Sequence, residues 1–314
     1  MGKFTNKMST RYGLPYMGSK NKITEWILQY MPKAETFYDL FCGGCAITHC
    51  AIEQRKFKNY HINDIKGEMP QGFVDCIQGK YNDDTRWISH DEFDKLKGKG
   101  DLLVDVCFSF GNNWRKGYAY SREIEPLKKA FHYAVVFGEY NLMKDEFGID
   151  LSAVGIIKDK HKRAIAAKGF MGQGFQMQHL DSLVRLQSLE RLQSLERLQS
   201  LERLESSITV SSVSYDKVYI KTNSVIYCDI PYRSTAKYND IEFDYESFYE
   251  WCLRQKEPVF ISEYDMPKDD FICIGAKQKT CQLSATNNSL QSIERLFIPK
   301  HQIKNKPLTL FDYL

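Results

Sequence analysis

A short apolar run, residues 225–228, ends in Asp229-Ile230-Pro231-Tyr232. In a parallel sheet the C-terminal ends of strands line the ligand crevice. A carboxylate there can accept hydrogen bonds, a proline stiffens the turn, and an aromatic ring offers a flat face. Asp and Pro are also ordinary turn residues. An apolar strand running straight into acid-X-Pro-aromatic is nonetheless unusual for a plain turn.

A second constellation is Asp39-Leu40-Phe41-Cys42-Gly43-Gly44. A Gly-rich strand-to-helix turn lets backbone approach a ligand closely. Asp64 follows Gly44 by 20 residues and ends the next strand-like run. An acid at that place can accept both hydroxyls of an adenosine ribose. The pair points to an adenosine-containing cofactor. It is not a dehydrogenase fingerprint, because G-x-G-x-x-G is absent.

The elements that must position these groups read as follows. Residues 24–30 suggest a helix closed by Pro32, 36–41 a buried strand, a helix starts near Ala46, and 58–62 form a second strand. This β-α-β start is the unit of a parallel sheet with helical crossovers. Helical stretches follow at 69–79 and 89–97, and 102–110 reads as a strand. Residues 111–120 are loop-like, and 121–168 are mainly helical and basic. Beyond them, 208–220 hold two strand-like runs, then strand 224–228, helix 248–254, strand 258–263, and β segments at 271–274 and 293–298.

L-Q-S-L-E-R repeats at 186–191, 192–197 and 198–203. The composition predicts a continuous helix over 181–205, about 37 Å long at 1.5 Å per residue. Leucine recurs every three residues, about 60° short of a full turn, so the stripe winds and makes no heptad seam. Two readings follow: a repeat-expanded helix whose length is tolerated, or a spacer or partner-binding helix adjustable by six-residue units.

Composition sets bounds. Of the 314 residues 43% are apolar, enough for a core, and no apolar run approaches membrane-spanning length. The first ten residues carry no apolar signal-like stretch. Nine cysteines without framework spacing suit a reducing cytoplasm. Cys42-x-x-Cys45 lacks a second ligand pair, so no metal is expected. Net charge is +3, so nucleic-acid binding would need a local basic surface.

The ordered motifs resemble the Dam-like (D12 class) S-adenosylmethionine-dependent DNA adenine-N6 methyltransferases. Pro15-Tyr16-Met17-Gly18-Ser19-Lys20 resembles the family's W-x-G-G-K motif, and residues 39–44 its E-P-F-x-G-G turn. Asn63-Asp64-Ile65 resembles its acid-bearing second strand, and Asp229-Ile230-Pro231-Tyr232 its D-P-P-Y. Residues 258–264 and 292–298 resemble its closing strands. Three departures stand out. Tyr16 replaces Trp, Cys45 occupies a place usually Gly or Ala, and Asp39-Leu40 replaces Glu-Pro. None removes a group that the reaction needs.

The resemblance implies an α/β, Rossmann-like methyltransferase sheet with a mainly helical DNA-recognition insertion. The catalytic domain would span 1–110 and 207–314, and the insertion 111–206 with the repeat. Cofactor contacts would come from Tyr16, Gly18, Lys20, Asp39, Phe41, Gly43, Gly44, Asp64 and Asp229, with Lys20 serving the methionine carboxylate. Catalysis would rest on Asp229, Ile230, Pro231 and Tyr232. The Asp229 carboxylate and Ile230 carbonyl would polarise the adenine amine, while Tyr232 stacks on the flipped base. Asn112, Asn113, Trp114, Arg115, Lys116, Tyr118 and Arg122 would contact DNA, with Lys162 and Arg163 on phosphates.

Duplex DNA is the expected partner, with a monomer favoured and a cytoplasmic, prokaryotic or phage-encoded setting. Two rivals stay open at this level: a methylase-like DNA-binding protein without turnover, and an interaction scaffold built on the repeat helix. No Pro-Cys pair occurs, which argues against C5-cytosine chemistry, and N4-cytosine enzymes usually carry Ser in place of Asp229. The motif itself does not exclude RNA.

Overall fold

The computed structural model describes residues 11–112, 114, 117–174, 186–233, 243–282 and 289–305. They form two compact units, Met1–Gly18 with Asp75–Glu202, and Ser19–Val74 with Arg203–Leu314. The second is the sheet unit. Its strands are β1 (Thr36–Asp39), β2 (Asn59–Asn63), β3 (Ile208–Ser211), β4 (Ser224–Asp229), β5 (Val259–Glu263), β6 (Phe271–Gln282) and β7 (Ser289–Pro299). They lie in the order β3-β2-β1-β4-β5-β7-β6. The first five are parallel, and β7 runs antiparallel to both β5 and β6.

The order reverses between β1 and β4, so the crevice of this doubly wound sheet opens at their C-terminal ends. β1 and β4 are buried along almost their whole length. Strands covered on both faces must be apolar throughout, which is why they read as continuous runs rather than alternations. Helix α1 (Thr24–Leu28), helix α2 (Ala46–Glu53) and the first part of helix α3 (Glu68–Ile77) belong to this unit.

On one face Tyr38, Ile226, Cys228 and Ile261 pack with Phe248, Trp251 and Cys252 of a helix spanning Tyr245–Arg254. That helix starts where the Asp244 carboxylate accepts the Ser247 N–H at 3.0 Å. Gly275 sits at a bulge in β6. A Cβ there would lie 2.6 Å from Tyr30 Oη, so only glycine allows this approach.

The helical unit contains helices α4 (His90–Leu96), α5 (Glu125–His132), α6 (Asn141–Phe147), α7 (Lys160–Gly174) and α8 (Gln187–Glu196). The helix over Tyr245–Arg254 is therefore α9. Ser89 and Glu92 make a reciprocal capping box on α4.

Several sequence expectations change. Residues 102–110 are not a strand: Leu103–Cys107 form a π-helical turn, all buried. The Asp101 carboxylate accepts the Leu103 N–H at 3.1 Å and starts it. A short apolar run buried on all sides has no periodicity that separates strand from helix. The expected boundary at 110/111 accordingly differs from the observed divisions at 18/19, 74/75 and 202/203, because 75–110 folds with the helices. Of the two runs expected in 208–220, one is β3 and the other contains a 3₁₀ turn at Tyr215–Lys217.

The repeat departs furthest. Residues 181–185 lie outside the described residues. α8 is followed by a 3₁₀ helix over Arg197–Ser207 instead of continuing. Leucine every third residue suits 3.0 residues per turn and does not suit 3.6, so the tighter helix keeps one leucine face inward. Leu186, Leu189, Leu192, Leu195, Leu198 and Leu201 are all buried. Within α8 the winding stripe is accommodated because polar positions are buried too.

The Ser188 hydroxyl lies 2.9 Å from Tyr120 Oη. The Arg191 guanidinium donates to the carbonyl oxygens of Val106 (3.1 Å), Cys107 (3.4 Å) and Ser109, closing the C-terminal end of the π-helical turn. Glu196 accepts from Lys160 Nζ at 2.6 Å and stands 2.7 Å from His161 Nε2. The repeat is thus a core element of its unit and not a free spacer.

Candidate functional site

β1 and β4 run side by side with Asp39 opposite Tyr227, so Asp229 lies two residues further along the neighbouring strand. Asp39 is buried at the end of β1. Its Oδ2 accepts the Thr48 hydroxyl of α2 at 2.7 Å, while Oδ1 has no partner among the described residues. Burial pushes this carboxyl up to about 7, the Thr48 bond opposes the shift, and Asp229 and Asp64 add to it.

The turn after β1 is shaped by Gly43, whose φ is +45°, and by Cys45, left-handed at +56°. The Gly43 N–H donates to Asp64 Oδ2 at 2.9 Å, and the Lys66 N–H to Asp64 Oδ1 at 3.0 Å. Asp64 therefore braces the turns after β1 and β2 together. Burial raises its carboxyl against these two backbone bonds. Asn63 extends the brace. Its amide donates to the carbonyls of Leu40 and Val213 at 3.0 Å each, and its oxygen accepts from Ser211 Oγ at 2.6 Å. Phe41 sits against Tyr215, Phe243 and Phe248.

The loop after β4 is pinned on both flanks. Ile230 is buried. The Pro231 carbonyl accepts Tyr245 Oη at 2.9 Å, and the Arg233 N–H donates to Glu263 Oε1 at 2.8 Å. Glu263 also accepts the Tyr264 N–H, so this buried carboxylate joins the loops after β4 and β5. Burial raises its carboxyl, and the two backbone bonds oppose the rise. Lys20 Nζ lies 2.6 Å from Asp229 Oδ1 and 3.6 Å from Glu294 Oε1. It also stands 4.7 Å from the Tyr232 ring centroid. The Tyr232 hydroxyl donates to Glu294, and its ring meets Tyr264 edge-on at 4.5 Å. Beside the loop, a hollow of about 510 Å³ is lined by Arg233, Tyr249, Glu263, Tyr264 and residues 265–268.

The sheet unit thus brings together Lys20, Asp39, Phe41, Gly43, Asp64 and Asp229–Tyr232. Tyr16 and Gly18 belong to the helical unit. There the Tyr16 ring meets Trp114 edge-on at 6.0 Å, and Trp114 Nε1 donates to the Pro15 carbonyl at 2.8 Å.

The DNA-contact expectations divide sharply. Asn113, Arg115, Lys116 and the side chain of Asn112 lie outside the described residues. Trp114 and Tyr118 are buried, the latter donating to the Ile88 carbonyl at 2.6 Å, so both serve packing. Arg122 is exposed and paired with Asp91 at 3.0 Å. Arg163 is spent on backbone carbonyls of Val135 and Ile157, which corrects its reading as a phosphate contact. Aromatic residues interleaved with Asn, Gly and Lys look alike in sequence whether they face solvent or core.

Thr48, Glu263 and Glu294 were not singled out from the sequence. Glu263 carried a usable signal, since it ends an apolar strand just as Asp39 and Asp229 do. Glu294 carried a weaker one, an acid inside the otherwise apolar Ile-Glu-Arg-Leu-Phe-Ile.

The doubly wound sheet, with an acid-Ile-Pro-Tyr loop at its switch point, makes the fold α/β and Rossmann-like. Residues 16–96 match the family described as D12 class N6 adenine-specific DNA methyltransferase. The Dam-like resemblance of the sequence therefore stands over this segment. Among solved structures the chain is similar to the rRNA methyltransferase aviRa from Streptomyces viridochromogenes. The identity is 9% and the TM-score 0.33, over 91% of this chain and 85% of that one. No curated protein matches the chain significantly. Among the described residues no helix is long and apolar enough to cross a membrane.

Proposed function

We propose that the protein transfers a methyl group from S-adenosylmethionine to adenine N6 in duplex DNA. The observation that carries this reading is the placement of Asp39 and Asp229 on adjacent strand ends, with Pro231 and Tyr232 following directly. S-adenosylmethionine supplies a methyl group already activated by the sulfonium. The residues present fit it: Asp39 offers a buried oxygen with no partner among the described residues, beside the positive-φ turn at Gly43. Asp64 bonds Gly43, so it both shapes that turn and offers remaining lone pairs to a ribose.

The adenine amine is a weak nucleophile because its lone pair is shared with the ring. The Asp229 carboxylate and the Ile230 carbonyl would accept its two hydrogens and localise that pair. Pro231 disfavours the α region at Ile230, holding its carbonyl extended. Tyr232 would stack on the base, worth about 1–3 kcal/mol. The base must leave the duplex to reach this loop. The work is positioning and electrostatics.

The test is incubation with methyl-labelled S-adenosylmethionine and unmethylated duplex DNA of mixed sequence, followed by digestion to nucleosides. N6-methyladenine is the expected product. Cofactor binding without any such product would favour the non-catalytic reading, and label transferred to RNA in a parallel incubation but not to the DNA would overturn the DNA assignment.

A further inference from the structure

Glu294 lies within β7, one residue before Arg295, the partner of Glu263 in the ladder between β5 and β7. It is 1% exposed. Burying a carboxylate is costly unless it is paired and hydrogen-bonded. Glu294 meets that cost with two groups of the candidate site: it accepts the Tyr232 O–H and stands 3.6 Å from Lys20 Nζ.

We propose that Glu294 is a positioning residue, which fixes the Tyr232 ring through its hydroxyl and shares the charge of Lys20 with Asp229. The inference rests on the methyl-transfer reading for its kinetic consequence, but not for its geometry. Lys20 alone would neutralise Asp229 and weaken it as an acceptor for an amine. A second carboxylate facing the same ammonium leaves the cluster of Lys20, Asp229 and Glu294 one negative charge in excess. That excess favours the positive charge that develops on the amine nitrogen during transfer. The same oxygen holds the Tyr232 hydroxyl, so ring orientation and charge sharing are set by one side chain. Lys20 is held above its ordinary value by Asp229 and Glu294, against the opposing effect of burial.

Glu294→Gln keeps an acceptor for Tyr232 and removes the charge. Glu294→Ala removes both. Titration of Lys20 is followed by NMR on full-length protein carrying ¹³C-labelled lysine, with Lys20→Met as the assignment control. In Glu294→Gln, Lys20 is expected to lose its proton at lower pH than in the parent protein. With S-adenosylmethionine and unmethylated mixed-sequence duplex DNA, kcat is expected to fall roughly tenfold or more. KM for S-adenosylmethionine should stay within about twofold, since only a charge-sharing step is altered. Glu294→Ala should lose more.

An unchanged Lys20 titration, or a higher KM with unchanged kcat, would overturn the proposal. If the parent protein transfers no methyl at all, the methyl-transfer reading fails, and the Lys20 titration still decides the positioning role. Should Glu294→Gln fail to fold, Tyr232→Phe removes the competing donor and is expected to move the Lys20 titration upward. No movement there would overturn the proposal equally.

Discussion

Lys20 and Asp229 are 209 residues apart in sequence and 2.6 Å apart in space. The pair fastens the N-terminal part of the sheet unit to the loop after β4, and it sits at the switch point of the sheet. Lys20→Met would strand Asp229 and the buried Glu294 without a counter-ion. A loss of about 3–5 kcal/mol is expected. Denaturant unfolding of the variant beside the parent protein measures this. An unchanged unfolding midpoint would speak against it.

Asp229→Ala is expected to abolish methyl transfer while leaving the fold intact, whereas Ile230→Pro should keep turnover, because position 230 contributes its backbone carbonyl. The structure adds a cost for the second variant, since Ile230 is buried in the apolar cluster. About 1–2 kcal/mol of stability should be lost. Methyl-transfer assays paired with thermal melts separate the two effects, and an active Asp229→Ala would remove Asp229 from the chemistry.

Asp39 makes stability depend on pH. Its folded-state carboxyl is raised to about 7 from 3.8, so between these values the folded chain holds a proton that the unfolded chain has released. Stability from this group is therefore full below about pH 4 and falls as pH rises towards 7. Asp39→Asn cannot titrate. Subtracting its melting curves from those of the parent protein between pH 4 and 7 should leave a downward slope with rising pH. A flat difference would contradict the assignment.

The buried leucines of the repeat make its length intolerant of change. Leu195→Ala should cost about 2–5 kcal/mol, while exposed Glu202→Ala should stay within about 0.5 kcal/mol. Deleting 192–197 leaves two identical units that refill positions 186–197, so the loss falls on the 3₁₀ segment carrying buried Leu198 and Leu201 and should open the helical unit. Limited proteolysis would show new cleavage within Asp75–Glu202. A deletion variant as resistant as the parent would restore the spacer reading.

What the sequence determined by itself is the sheet and the acidic residues at its rim. Buried parallel strands must be apolar, and their ends must turn, so runs such as 225–228 followed by an acid mark both the strand and the site. The β-α-β start, the strand expected over 36–41 and found over Thr36–Asp39, and the loop from Asp229 were legible for that reason. Tertiary structure alone decided the rest. An apolar run carries no mark of strand or helix when every side is covered, so 102–110 became a π-helical turn. A leucine every third residue could wind around an α-helix or line a 3₁₀ helix, and only its neighbours in the core decided that Gln187–Glu196 does the first and Arg197–Ser207 the second. Trp114 and Tyr118 went inside because partners distant in sequence, Pro15 and Ile88, accept their hydrogen bonds. Glu294 acquired a role for the same reason: an acid in a strand gains meaning only when folding brings Lys20 and Tyr232 to it.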